Sequence, residues 1–389
     1  MVKALGIDPG TKRFDLVVID GPKVVCEYSI ETAEVAKKPE ILINVIESLG
    51  DVDIIVGPSG YGTPVVCNED ILDAERFAIE ILLLSSKEDI KEGVRRGELG
   101  MAVYDVLAKV VKYLWMSRHK VCYIPSIILL PTVPTHRKIN RIDMGTADKL
   151  AVAALAIHDE SIRLGIEYEE TRFILVELGF GYNAVIAVNE GKVVDGYGGT
   201  LTGMGFLTIG AIDAEVVVAG RVWNRSDVFY GGVSTLCNEY NPEKALELAK
   251  VDELCRAGFN SMLESIEHRV RGMLTIIKDP YEVILSGRLS RIAKIYDELR
   301  RRLSDIAPVV RIKGLEGARM SKEAAQGYAI LGEGIAGGYF RELIKVMRIM
   351  MARGTTLSWV YHPRVINVRR RLEQTCMEVI RRKELCKPF

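Results

Sequence analysis

Gly6-Ile7-Asp8-Pro9-Gly10-Thr11-Lys12 (residues 6–12) reads as a strand end running into a tight turn. The apolar run Ala4-Leu5-Gly6-Ile7 delivers Asp8 to the end of a strand. Gly10, Thr11 and Lys12 make the turn, and a second strand, Phe14 to Ile19, leads back. The pattern recurs in the second half of the chain. There Phe173-Ile174-Leu175-Val176 delivers Glu177, Gly179 and Gly181 make the turn, and Ala184 to Val188 returns. A carboxylate at each of two strand–turn–strand corners suits a site that holds a metal-bound polyphosphate between two related domains. Turn glycines let backbone N–H groups approach phosphate oxygens. Carboxylates can hold Mg²⁺ through water. One such corner alone is an ordinary hairpin; its recurrence gives it meaning.

Outward from the first corner, the chain reads as a meander at residues 3–8, 14–20 and 23–29, with Asp20-Gly21-Pro22 as a turn. Pro39 opens a helix, a buried strand runs from Asp53 to Val56, and Gly57 to Gly62 form a turn. Helices near 70–84 and 101–116 and a strand at 121–124 follow. An irregular segment then runs from Pro131 to Arg141. The alanine-rich stretch 146–162 is a strong helix, ended by Gly165. The second half opens with a meander at 172–178, 184–188 and 192–195, then a glycine-rich passage from Gly196 to Gly210. A long helical region at 242–278, weakened at Gly258 and Gly272, precedes a strand at 281–285 and the turn Ser286-Gly287. A helix, a strand at 309–312 and a helix from Ser321 complete this half. The expected organisation is an α/β chain of two duplicated domains, residues 1–165 and 166–340, with a basic helical tail at 341–389. The tail carries 12 Lys or Arg against 4 acids and reads as a solvated basic helix.

Bulk properties narrow the function classes. A chain of 389 residues exceeds one ordinary core. The 52 basic residues equal the 52 acidic ones, so there is no general attraction to nucleic acid. No apolar run approaches the roughly 20 residues that span a bilayer, and no signal-peptide pattern opens the chain. The seven cysteines include no CxxC pair, which indicates neither a zinc site nor a disulfide framework. Reduced thiols in a cytoplasmic protein are the expectation. Two GxGxx(G/A) patterns, at Gly179 and Gly332, lack the strand–turn–helix setting of a dinucleotide fold, and no P-loop occurs.

The candidate residues divide by chemistry. Thr11 offers a hydroxyl and Lys12 a charge to the terminal phosphates, useful where charge develops in phosphoryl transfer. Asp148, in the first turn of the alanine-rich helix, is a candidate base or metal support, against the plain role of an acid at a helix dipole. A carboxylate acceptor would need no base but a cation to orient it; Arg137 and Arg141 are candidates in the irregular segment. Ser286-Gly287 could pack against an adenine, and Gly198-Gly199-Thr200 could line phosphates.

In order along the chain, these motifs resemble the superfamily of sugar kinases, heat-shock chaperone ATPases and actin. GIDPGTK resembles its first phosphate motif, VELGFG (176–181) the second and VILSGRLS (283–290) the adenosine motif. GTADKLAVAALA (145–156) resembles the connecting helix whose acid is the base in type III pantothenate kinases, and 321–336 resembles the second connecting element. The resemblance implies two RNase H-like, actin-like ATPase domains around a cleft. It also implies ATP and Mg²⁺ as cofactors, with Asp8 and Glu177 on the metal. Gly10, Thr11, Gly179, Gly181, Gly199 and Thr200 would then line the phosphates, and Ser286 and Gly287 the adenine. Within the superfamily the chain is most similar to an archaeal family assigned as predicted butyrate kinases, relatives of acetate kinase. Those enzymes carry an asparagine where Asp8 stands and a histidine where Glu177 stands, and their serine-rich first loop is missing here. The implied function is an ATP-dependent kinase for a small-molecule acceptor such as butyrate, with room for a homodimer.

Two rival readings remain at this stage. LGIDPGTKR (5–13) also resembles the opening of RuvC-type resolvases, where the aspartate would bind one of two metals that cut a phosphodiester. The neutral charge and the duplicated meander argue against that reading. The other rival is a nucleotide-driven switch that acts on a partner instead of phosphorylating a metabolite.

Overall fold

β1 (Lys3–Pro9), β2 (Arg13–Asp20) and β3 (Lys23–Glu31) form the first meander in the computed structural model, which describes residues 2–10 and 12–389. β4 (Ile54–Val56), β5 (Val66–Cys67) and β6 (Val121–Tyr123) complete a six-stranded sheet in the order β3-β2-β1-β4-β6-β5. β1 runs antiparallel to β2 and parallel to β4, β4 is parallel to β6, and β5 is an antiparallel edge. Ala4, Leu5 and Ile7 are fully buried. That burial explains an unbroken apolar run in place of alternation: a strand of this kind is covered on both faces.

The second sheet contains β7 (Arg172–Leu178), β8 (Asn183–Asn189), β9 (Lys192–Tyr197), β10 (Glu282–Ser286) and β11 (Val309–Arg311). Its order is β11-β10-β7-β8-β9, with β7 antiparallel to β8 and parallel to β10, and β10 parallel to β11. Each sheet is therefore a meander extended by parallel strands from its first member. This is a duplicated RNase H-like arrangement, with β5 as an addition to the first copy. The chain forms two units: one holds the residues up to Thr171 with Glu190–Val194 and Lys313–Phe389, the other Arg172–Asn189 and Asp195–Ile312.

Two helices bring the first unit's chemistry to the end of β1. They are α1 (Ala147–Leu164), closed by Gly165 in the left-handed region at φ 66°, and, later in the chain, Glu323–Ile335. Between them in sequence is α2 (Glu253–Met273), so the helix at Glu323–Ile335 is α3. A Cβ on Gly6 would lie 2.3 Å from the Ala325 carbonyl oxygen, and one on Gly327 would lie 2.0 Å from the Ala151 carbonyl oxygen. Glycine at these two places lets α3 settle on the backbones of β1 and α1 together.

Four local expectations are corrected. The region 70–84 is a helical turn at Ala74–Arg76 running into a π-helical stretch at Phe77–Leu82, with Asp73 capping its start through the N–H groups of Glu75 and Arg76. The long region 242–278 is two helices, Pro242–Leu248 and α2. The break comes at Asp252, whose side chain caps Cys255. Gly258 stays helical, where a Cβ would meet Leu236 at 3.0 Å. The cysteines are not all thiols: Cys67–Cys122, Cys237–Cys255 and Cys376–Cys386 are disulfides, and Cys26 alone is free. Scattered spacing concealed them, because each pair is made by the fold; Cys67 and Cys122 face each other across β5 and β6.

The basic tail is likewise not a solvated helix. α4 (Ile366–Val379) packs on the first unit, with the Leu72 N–H donating to the Val379 carbonyl at 2.8 Å. Arg382 forks onto Asp70 at 2.9 and 2.7 Å, and Arg76 reaches Glu378 at 2.9 Å. Charges of both signs in the tail are thus paired with the body of the first unit.

Candidate active site

Asp8 and Glu177 occupy the same place in the two sheets: each is the penultimate residue of the first strand of its meander. Both are buried. In the first unit, Asp8 faces Asp15 in the β1–β2 register, which brings a second buried acid beside it. Lys322, immediately before α3, places its Nζ 3.0 Å from Asp8 Oδ2, 3.6 Å from Asp15 Oδ2 and 3.3 Å from the Arg13 carbonyl oxygen. Burial pushes the Asp8 carboxyl up. Lys322 opposes that rise, and the charges of Asp148 and Asp15 add to it.

Asp148 lies in the first turn of α1, within electrostatic reach of Asp8. Burial acts to raise its carboxyl, but Lys149, the Thr146 hydroxyl and Lys322 together hold it below the usual range. Lys149 Nζ donates to Asp148 Oδ2 at 2.8 Å, and Thr146 Oγ1 donates to Oδ1. The buried Tyr328 phenol is pushed well up, first by burial and then by the charges of Asp148 and Asp8. Asp8, Asp15, Asp148, Lys149 and Lys322 thus form one charged cluster, with the neutral Tyr328 phenol beside it.

The turn residues meet different fates. Thr11 lies outside the described residues, and Lys12 is exposed. Gly10 has an unexpected neighbour: a Cβ there would stand 1.7 Å from Lys322 Nζ. Arg137 donates to the Val194 carbonyl at 2.8 Å, and Arg141 is partly exposed in the loop beyond it. Lys138 between them is buried, donating to the Leu130 carbonyl at 2.7 Å with its ammonium 4.2 Å from the Trp359 ring centre.

In the second unit, Glu177 is in register with Ala184 and with Ser286 of β10. A Cβ on Gly179 would lie 3.4 Å from Glu177 Oε2, and one on Gly287, at φ 85°, would lie 2.8 Å from Oε1. The carboxylate therefore sits against both turns. The Gly181 carbonyl accepts from Thr208 Oγ1 at 2.9 Å, while Gly199 and Thr200 begin a short 3₁₀ turn at Gly199–Thr202. Ser286 is buried, and its hydroxyl finds no hydrogen-bond partner among the described residues.

No group of three or more His, Cys, Asp or Glu side chains among the described residues is arranged to hold a metal. One or two carboxylates with water and substrate phosphates are what Mg²⁺ ordinarily takes. Within each unit, a single buried strand-end carboxylate is a donor of that kind: Asp8 in the first and Glu177 in the second.

A family profile described as "Protein of unknown function (DUF1464)" matches residues 6–362. The chain belongs to the DUF1464 family. No curated protein matches it. Among solved structures, the DUF1464 chain is similar to a propionate kinase from Francisella tularensis, at 12% identity and TM-score 0.54, covering 85% of this chain and 98% of that one. It is also similar to acetate kinase from Porphyromonas gingivalis, at 13% identity and TM-score 0.53, with 85% and 98% covered. For acetate kinase from Entamoeba histolytica the identity is 11% and the TM-score 0.50, with 78% and 86% covered. At such identities the likeness is one of fold.

Sequence reasoning on this DUF1464 chain missed Lys322, Asp15 and Lys149. Lys322 left one signal: a lysine at the start of a helix stands at the positive end of its dipole, where a cation is unfavourable without a compensating anion. Asp15 left another, as an acid within an otherwise apolar returning strand, Phe14 to Ile19. None of the described helices is long and apolar enough to cross a membrane.

Proposed function

We propose that this chain is an ATP-dependent phosphotransferase acting on a small-molecule acceptor. The observation that carries the reading is the duplicated corner, with buried Asp8 and buried Glu177 at equivalent strand ends of a fold shared with acetate and propionate kinases. Asp8 and Glu177 would hold Mg²⁺ through water, and the ion would neutralise charge on the transferring phosphoryl group. The turn at Gly10 and the turn from Gly179 to Gly181 would present backbone to phosphate oxygens, with Gly199 and Thr200 as further lining and Lys12 as a cation. Ser286 and Gly287 support the adenine side; the unpartnered Ser286 hydroxyl is consistent with that role.

The acceptor we favour is a short-chain carboxylate such as butyrate. Its support is the substrate class named for the acetate and propionate kinases of like fold. Such an acceptor is already ionised and is oriented by a cation. Arg137 and Arg141 are the candidates, and Arg137 also donates to the Val194 carbonyl. The acceptor oxygen attacks the γ-phosphorus, the bond to the β-phosphate oxygen breaks, and ADP departs with that electron pair. Asp148, held ionised beside Lys149 and Thr146, would take the proton of the acceptor where that acceptor is a hydroxyl.

Thermal unfolding with Mg-ATP, with branched DNA as competitor, tests the class. A ligand at about 100 times its Kd stabilises by roughly 2.7 kcal/mol. Stabilisation by Mg-ATP followed by acceptor-dependent ADP release is the expected result. A salt-sensitive response to DNA alone would replace the kinase reading with a nuclease. ATP hydrolysis unaffected by any small acid or alcohol would favour a nucleotide-driven switch.

A further inference from the structure

We propose that Lys322 is the cation that receives the terminal phosphate of the bound nucleotide, and that Glu27 acts through the turn at residues 319–321 to hold it there. The proposal rests on the kinase reading above and adds a residue that reading does not contain. Its first support is position. The kinase reading puts a phosphate against the glycine of the first turn, and the space at Gly10 holds the Lys322 ammonium, 1.7 Å from where a Cβ would stand. Any larger residue at position 10 would displace that ammonium. The glycine is thus fitted to a lysine from far along the chain as well as to a ligand.

The second support is charge. Lys322 lies between Asp8 and Asp15 at 3.0 and 3.6 Å and acts electrostatically on Asp148, so three acids share this region with it. A polyphosphate approaching such a cluster meets repulsion unless a cation stands between, and the Lys322 side chain is 17% exposed, enough to be reached. Lys12 is exposed to solvent. A cation taken out of water and ringed by acids interacts more strongly with an incoming charge than one in bulk solvent.

The third support is the way Lys322 is held. The Glu27 carboxylate on β3 accepts the backbone N–H groups of Arg319, Met320 and Ser321 at 2.8, 2.8 and 3.0 Å. Three donors converging on one carboxylate fix the turn that precedes Lys322. Helix stability does not account for the lysine, since its charge opposes the dipole of α3.

Calorimetric titration with a hydrolysis-resistant ATP analogue and with ADP, both with Mg²⁺, tests this on wild type, Lys322→Met, Glu27→Gln and Lys12→Met. Loss of a charged hydrogen bond to phosphate predicts roughly 10- to 100-fold weaker binding of the triphosphate in Lys322→Met, with ADP little changed. Glu27→Gln should shift the triphosphate-to-diphosphate ratio in the same direction by less. A ratio unchanged in Lys322→Met, or a loss confined to Lys12→Met, overturns the assignment. Should Lys322→Met not fold, an unchanged ratio in Glu27→Gln overturns it instead. Wild type that binds neither nucleotide fails the kinase reading itself, and the role of Lys322 falls with it.

Discussion

Glu177 Oε1 lies 2.8 Å from the point where a side chain on Gly287 would begin, so the second unit's carboxylate and its strand-end turn leave no room between them. Gly287 also holds φ at 85°, a region that side chains other than glycine occupy only under strain. Gly287→Ala therefore meets backbone strain and a clash with Glu177 at once. The expected cost is about 1–3 kcal/mol, read as a lower unfolding midpoint. The change should also weaken nucleotide binding by displacing Glu177. A variant as stable as wild type would mean that this turn relaxes freely.

Asp8→Ala should abolish phosphoryl transfer while the protein stays folded. Asp8 is buried beside Lys322, and its removal leaves that ammonium with Asp15 as its remaining close acid partner. Stabilisation by Mg-ATP should disappear with the carboxylate. Circular dichroism and acceptor-dependent ADP release check the two halves of this outcome. Full activity in the variant would remove Asp8 from the site.

The meanders, the turn carboxylates and α1 were legible in the sequence because each is a local pattern: an apolar run, a glycine turn, an alanine-rich helix with a glycine after it. Lys322 was not, because it reaches Asp8 from the opposite end of the first unit's sequence. The disulfides were missed for the same reason: Cys67 and Cys122 are 55 residues apart and meet only once β5 pairs with β6. The tail looked solvated because its arginines outnumber its own acids. Yet Arg382 pairs with Asp70 and Arg381 donates to the Glu69 carbonyl, contacts that composition cannot reveal. Pairs made across the fold are the part that one-dimensional reading loses.

Thiol titration should find one reactive cysteine, Cys26, in the native protein before reduction, and seven after reduction and unfolding. Closing a loop of some 15 residues is worth about 3 kcal/mol in the chain-entropy account, so reductant should lower the unfolding midpoint by several degrees. Seven free thiols in protein purified without reductant would show that these pairs do not form. Intracellular disulfides are known from hyperthermophiles, so the bonds by themselves do not assign a compartment.

Buried His158 supplies a pH dependence. Its Nδ1 lies 3.0 Å from the Tyr168 hydroxyl, and burial holds the imidazole down to about 4. Because the folded value lies below the ordinary 6.5, the unfolded chain binds the proton first as pH falls. This contribution is complete above pH 6.5 and is lost between there and about 4, roughly 3 kcal/mol in all. Urea unfolding at a series of pH values should show that slope in wild type and a flatter one in His158→Phe. Parallel curves would show that the histidine titrates as freely folded as unfolded.

The seating of α3 offers the most direct test of how the fold sets the site. A Cβ on Gly327 would stand 2.0 Å from the Ala151 carbonyl oxygen, and that oxygen belongs to the backbone of α1 and cannot swing aside. Gly327→Ala must therefore push the two helices apart. Overpacking of this kind costs about 1–3 kcal/mol. The helices carry Asp148 at the start of one and Lys322 just before the other, so separation also pulls two members of the charged cluster away from Asp8. The variant should lose affinity for the ATP analogue by more than its loss of stability accounts for, measured at a temperature where it is fully folded. Gly272→Ala is the control, since a Cβ there meets nothing within 4 Å. It should leave binding unchanged and, as a helical glycine replaced by alanine, gain up to about 1 kcal/mol. Equal binding in both variants would show that the distance between α1 and α3 does not set the site.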